Sequence, residues 1–192
     1  MVLRLLIVGA GGHGRSVAEA AQMTGLYELA GFADDGLAPQ TRLMGVTVLG
    51  PCTDLARYRD FADIAIVAIG NNRAREGLHA LLQRAGFALA TVIHPGALVS
   101  ASAVLGPGCA IMAGAIVGTE AALGEGAIVN CGAVVDHHCR VDDFGHLGVN
   151  ASMAGGSILG RGAWMQAGSA MGYGISLAPG AVLAPGEAAT GG

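Results

Sequence analysis

Three histidines lie close together in this chain: His137, His138 and His146. Asn130, Asp136, Asp142 and Asp143 fall in the same stretch. Imidazole titrates near neutral pH, so a positioned histidine can take the proton that an attacking amine or hydroxyl must lose. Such a base contributes about 10²–10⁴-fold to a rate. Three histidines beside aspartates could also hold a metal, but no spacing here matches a common zinc pattern, and no metal is expected. A second constellation is Gly9-Ala10-Gly11-Gly12-His13-Gly14, with the acids Asp34 and Asp35 starting twenty residues past its last glycine. Glycines between a strand and a helix let a phosphate approach the backbone, and the helix N-terminus favours its charge. Each feature also has a plainer reading. A surface histidine is usually only solvated, glycines permit tight turns, and Asp34 and Asp35 precede Gly36 as turn-formers do.

The elements that must position these residues divide the chain at about residue 91. Residues 3–8 read as a buried strand, followed by the glycine loop and a helix that stops near Gly25. Strands at about 29–33 and 64–69 follow, with a short strand or turn at 46–49, a short helix at 52–58 and a longer one at 73–85. This is β-α-β-β-α-β in outline, a small parallel sheet with helices. With about 90 residues it has room for one nucleotide-binding half rather than two, which favours a nucleoside-diphosphate ligand over a dinucleotide. A short linker near 89–91 leads to the second part.

From Val92 to Glu187 the sequence keeps a six-residue register without a break, in 16 hexads. The second position is aliphatic throughout, from Ile93 and Val99 to Leu177 and Leu183. Four residues later comes Ala, Ser, Cys or Gly, except at Ile175 and Glu187. Neither a helix nor a flat strand has this period; a parallel β-helix does, with three hexads to a triangular coil. His137 lies two residues past the interior Val135, and His146 immediately precedes the interior Leu147. Both are expected on the outer surface.

Composition narrows the function classes. The net charge is −4, with no basic run, so nucleic-acid binding is not expected. No apolar run is long enough to span a membrane. The leading apolar stretch reads as a strand because the glycine loop follows at once. The four cysteines form no CxxC pair and read as reduced thiols of a cytoplasmic protein.

The conjunction G-x-G-G-H-G, F-x-D-D, I-G-N-N and I-H-P-x-A, followed by a hexapeptide prism, resembles one family over almost the whole chain. This is the bacterial hexapeptide-repeat acetyltransferases of the sialic acid O-acetyltransferase type, including the nucleotide-amino-sugar N-acetyltransferases of bacillosamine and perosamine synthesis. The resemblance implies a Rossmann-like α/β half domain (1–91) that holds a UDP- or GDP-sugar. It implies a left-handed parallel β-helix (92–192) that binds acetyl-CoA. Gly11, Gly12 and His13 would line the diphosphate, Asp34 and Asp35 would contact the nucleoside, and Gly70 would sit beside it. His137 would be the general base, with His138 next to it in the catalytic set. His146 would contact acetyl-CoA from the neighbouring subunit of a homotrimer, and Gly155 and Ala167 would line its channel.

A departure from the family pattern falls beside the catalytic histidine. The family commonly has an acid after the catalytic histidine, where this chain has His138. Asp136, Asp142 and Asp143 are the candidates to orient the ring instead. The expected activity is acetyl transfer from acetyl-CoA to a nucleotide-linked amino sugar. O-acetylation of a sugar, and a non-catalytic prism that binds a nucleotide sugar, are the alternatives.

Overall fold

The computed structural model describes residues 2–191. Leu3–Val8 (β1) is buried over its last four residues, as a strand covered on both faces must be. The chain leaves β1 through Gly9, at a φ of 104°, where a side chain would press on the Ala68 carbonyl. It then enters α1 (Gly12–Thr24), which ends on Gly25 in the left-handed conformation usual at helix stops. Next come β2 (Tyr27–Ala33), β3 (Arg42–Leu43), β4 (Val46–Gly50), a 3-10 segment (Cys52–Asp60), β5 (Ile64–Val67), α2 (Asn72–Arg84) and β6 (Ala88–Leu89). The sheet order is β3-β4-β2-β1-β5-β6, parallel apart from the β3–β4 pair. Sequence reading missed β3 and took part of β6 for linker. Each has two residues, too few to show a period.

From Val92 onward the described residues form 17 two-residue strands, β7 to β23, in three sheets. The first side starts at Val92–Ile93 (β7), the second at Leu98–Val99 (β8) and the third at Val104–Leu105 (β9). Partners are one coil apart: Val92 pairs with Ala110, and Ile93 with Ile111. The second residue of each strand points inward. Ile111, Val129, Leu147 and Met165 form one such stack, all fully buried. Cys109 and Cys139 fill small interior corners. This is a left-handed parallel β-helix: the six-residue register led to a β-helix, and the family resemblance to its hand.

The first side of the prism is not free. Its outward residues Val92, Ala110 and Ile128 pack in one core with Val17, Ala18 and Ala21 of α1. Burying Val17, Val92 and Ile128 there contributes about 1.5–3 kcal/mol each. Higher up the same side, Trp164 and Val182 are exposed.

Helix α2 docks at the edge between the third and first sides. Its Arg75 is fully buried yet meets no carboxylate. It donates to the carbonyls of Ile69, Gly126 and Phe144, and to the Asn72 side chain. His79 packs edge-on against Phe144 and meets Glu125 at 3.1 Å.

The corners carry an unusual signal. From residue 108 to 186, every sixth position has positive φ. Most are glycine, but Glu120, His138, Phe144 and Asn150 are not. A left-handed conformation costs an ordinary residue about 1–2 kcal/mol, and such strain gathers at functional sites. Glu120 and His138 are one coil apart, so two of the four stack directly.

Candidate functional site

The first cleft lies where β1 feeds α1. Gly9 and Gly14 are required by the fold, since a Cβ on Gly14 would fall 2.0 Å from the Gly9 carbonyl oxygen. Gly11 and Gly12 differ, because a Cβ on either would meet nothing within 4 Å. The fold does not demand glycine there; close approach of a ligand would. Gly11 is the N-cap of α1, no side chain caps the helix, and its first turn holds no acid. Backbone N–H groups at that end therefore face outward, with the positive end of the helix dipole behind them.

Ala10, Gly11, Arg15, Asp34, Gly36 and Leu37 line a hollow of about 270 Å³ beside this helix end. Asp34 is locked in place: one oxygen accepts from Ala10 N–H at 2.7 Å, the other from Gly36 N–H at 2.9 Å. Asp35 turns away and accepts from Cys52 N–H at 2.7 Å. The two acids thus have separate positions, and only Asp34 borders the hollow.

His13 follows at the start of α1. Its Nε2 is buried without a protein partner. Burial, and then the charge of Arg75, push its pKa down to about 4. It is therefore a neutral imidazole at pH 7, not a cation.

His146 corrects the expectation of an open surface position. It points out of the prism core, but it lies on the covered first side and is 6% exposed. Its Nδ1 sits 3.2 Å from the Gly70 carbonyl, which accepts, so the hydrogen is on Nδ1. The ring stacks on Trp164 with centroids 5.6 Å apart. Burial, then Arg75, then His13 lower its pKa to about 3. Gly70, expected beside the nucleoside, is thus one of the contacts between α/β part and prism. Its carbonyl also lies 3.3 Å from Arg75 Nη1.

The second constellation lies on the edge between the second and third sides. Asp136, His137 and His138 form the corner after Val134–Val135 (β14). The His137 side chain is 44% exposed and rests directly on Gly155, one coil above. A Cβ on Gly155 would fall 2.4 Å from the ring. Nδ1 of His137 and Nδ1 of His138 are 2.9 Å apart. His138 Nε2 is 3.0 Å from Glu120, one coil below. Tyr173 stands above on the same edge, 6.3 Å from the His137 ring.

The other candidate acids are elsewhere. Asp142 pairs with Arg140, and Asp143 with Arg161, whose guanidinium also binds Glu76 of α2. Ala167 is exposed at the corner between the first and second sides. A single chain therefore groups His137, His138 and Gly155, but not His146 or Ala167.

Comparison with known proteins bears on this arrangement. The PglD N-terminal domain family matches residues 4–82. PerB from Caulobacter crescentus, crystallised with CoA and GDP-perosamine, is 34% identical over 99% of this chain and 93% of its own, with a TM-score of 0.86. The acetyltransferase domain of PglB from Neisseria gonorrhoeae, in complex with acetyl coenzyme A, is 35% identical over 98% of this chain and 94% of its own, with a TM-score of 0.79. The chain belongs to the hexapeptide-repeat acetyltransferases with a PglD-type N-terminal domain.

In this acetyltransferase the sequence reading overlooked Glu120. The signal was present in two forms. Glu120 occupies a corner position that is usually glycine, and it precedes His138 by one full coil. Neighbours in an 18-residue coil are found by that spacing rather than by proximity in the chain, which drew attention to Asp136, Asp142 and Asp143 instead.

Proposed function

We propose that this acetyltransferase moves the acetyl group of acetyl-CoA to the amine of a UDP- or GDP-linked amino sugar, with His137 as general base. The observation that carries the reading is His137 itself, a half-exposed imidazole seated on a glycine and held at Nδ1 by His138. Its Nε2 is the nitrogen left for substrate. The neutral amine attacks the thioester carbonyl, and a C–N bond forms. The proton passes to His137 Nε2, the tetrahedral intermediate collapses with loss of the C–S bond, and the proton leaves with the CoA thiolate. The full-length likeness to an enzyme crystallised with CoA and GDP-perosamine supports both substrates.

Residues 1–91 would hold the nucleotide sugar, with Gly11, Gly12 and the N-terminus of α1 at the diphosphate and Asp34 shaping the nucleoside side. Residues 92–192 would hold acetyl-CoA. A homotrimer fits the separation of Ala167 from His137, because a neighbouring prism can bring one edge against another. The outward residues Leu98 and Ile116 on the second side are exposed apolar surface available to such a contact. Among the described residues no helix is long and apolar enough to cross a membrane. The expected site of action is the cytoplasm.

The test is thiol release from acetyl-CoA with a panel of UDP- and GDP-linked amino sugars, and with sugars offering only hydroxyls. Turnover with an amino sugar, lost in His137→Ala while nucleotide-sugar binding persists, supports the proposal. Turnover confined to hydroxyl acceptors overturns amine transfer, and an active His137→Ala removes the base. A monomer in light scattering contradicts the trimer.

A further inference from the structure

The geometry points to Glu120 as a positioning residue that acts on His137 through His138. The inference rests on the proposed role of His137 as base.

The argument is one of proton bookkeeping. Two ring nitrogens, His137 Nδ1 and His138 Nδ1, meet at 2.9 Å. One must bring a hydrogen and the other a lone pair. Glu120 decides which. Its carboxylate accepts, so His138 Nε2, at 3.0 Å, carries the hydrogen. A neutral His138 then has a bare Nδ1, which accepts from His137. His137 consequently donates through Nδ1 and keeps its lone pair on Nε2. That is the tautomer a base needs if Nε2 faces the substrate. When Nε2 takes the amine proton, the new positive charge is linked to the Glu120 carboxylate through His138.

Among the described residues no other side chain lies within hydrogen-bond distance of these ring nitrogens. Asp136 lies 3.8 Å from His137 Nε2, too far for a hydrogen bond, and its other oxygen accepts from the His137 backbone N–H at 2.7 Å. Tyr173, above, is the remaining polar ring against His137. Gly155 brings no charge. Glu120 is itself held from below, its N–H donating to Ser102 Oγ at 3.0 Å. Both Glu120 and His138 occupy left-handed corners, at φ of 56° and 58°, where the coils above use glycine. An acid one coil below, acting through a histidine, thus replaces an acid directly after the base.

Two readouts test this on the full-length protein. The first is ¹⁵N–¹H correlation NMR of labelled histidines, which reports the tautomer without turnover. In the parent, His138 should be protonated at Nε2 and His137 at Nδ1. Glu120→Ala should lose that pattern, and Glu120→Gln, whose amide oxygen still accepts, should keep most of it. The second is steady-state kinetics. Glu120→Ala should lower kcat about tenfold to a hundredfold, within the range of a positioned base, and leave both KM values nearly unchanged. His138→Ala should lower kcat to a similar degree, and adding Glu120→Ala to it should cost less than about twofold further. Unchanged tautomers in a folded Glu120→Ala protein overturn the inference. So does a kcat for that variant within about twofold of the parent while His137→Ala is inactive. If His137→Ala keeps full turnover, the base assignment fails on its own, and the tautomers alone decide the role of Glu120.

Discussion

The buried guanidinium of Arg75 donates to the Phe144 carbonyl at 2.7 Å and so joins α2 to a strained corner of the prism. Its other nitrogens hold the Gly126 and Ile69 carbonyls. Burial without a carboxylate lowers its pKa to about 10, which still leaves it charged at neutral pH. Removing the side chain would leave several buried carbonyls without donors, at about 1–3 kcal/mol each. Arg75→Leu should therefore destabilise the protein by about 3 kcal/mol or more, a drop of roughly 10 °C in Tm for a chain of this size. Differential scanning fluorimetry measures it.

Stability should fall on mild acidification, and two histidines with lowered pKa values set the window. His13 and His146 have folded pKa values of about 4 and about 3, against 6.5 for the free side chain. The unfolded chain therefore binds more protons than the folded one below pH 6.5. Their contribution is complete above that pH and is lost as pH falls through the folded values. At full extent these shifts correspond to about 3 kcal/mol for His13 and about 5 kcal/mol for His146. Tm should drop between pH 7 and pH 4, and His146→Gln should show a shallower slope. An equal slope in the variant contradicts the assignment.

The acids and histidines near residue 140 look like one cluster in the sequence, and the fold disperses them. The hexad register was legible because each interior position repeats the same requirement, an aliphatic side chain every six residues. The glycine loop was legible because its neighbours in space are also its neighbours in the chain. The rest required knowing which hexads share an edge. Asp136, Asp142 and His146 belong to successive sides, while Ser102, Glu120 and His138 stack. The covered position of His146 was hidden for a different reason. Its hexad gives the side it faces, but only the docked α/β part shows that this side is occupied.

Gly155 and Gly156 should respond oppositely to alanine. Gly155 has no positive φ, and its missing Cβ makes room for His137. Gly155→Ala should displace the ring and lower kcat about a hundredfold, with little change in Tm. Gly156 has a φ of 69° and open space around its Cβ position. Gly156→Ala should cost about 1 kcal/mol through backbone strain and affect kcat far less. Paired kinetics and thermal unfolding separate the two.

Gly11 offers a trade between stability and binding. An aspartate at the N-cap would satisfy free N–H groups of α1 and add about 1 kcal/mol. The same carboxylate would occupy the place proposed for the diphosphate. Gly11→Asp should raise Tm by about 2–4 °C and weaken nucleotide-sugar affinity by at least about tenfold. Titration calorimetry with the nucleoside diphosphate gives the second value, and undiminished binding would move the diphosphate elsewhere.

Because the prism returns to the same edge after each coil, its catalytic apparatus is arranged vertically, like rungs under a single handhold. A substitution one coil away can retune His137 while the residues on either side of it in the chain stay fixed. Conversely, an insertion of a single residue below it would rotate every later rung off its edge and part the imidazole from its support. Variation within this column is thus confined to exchanges of side chain or to whole turns gained and lost.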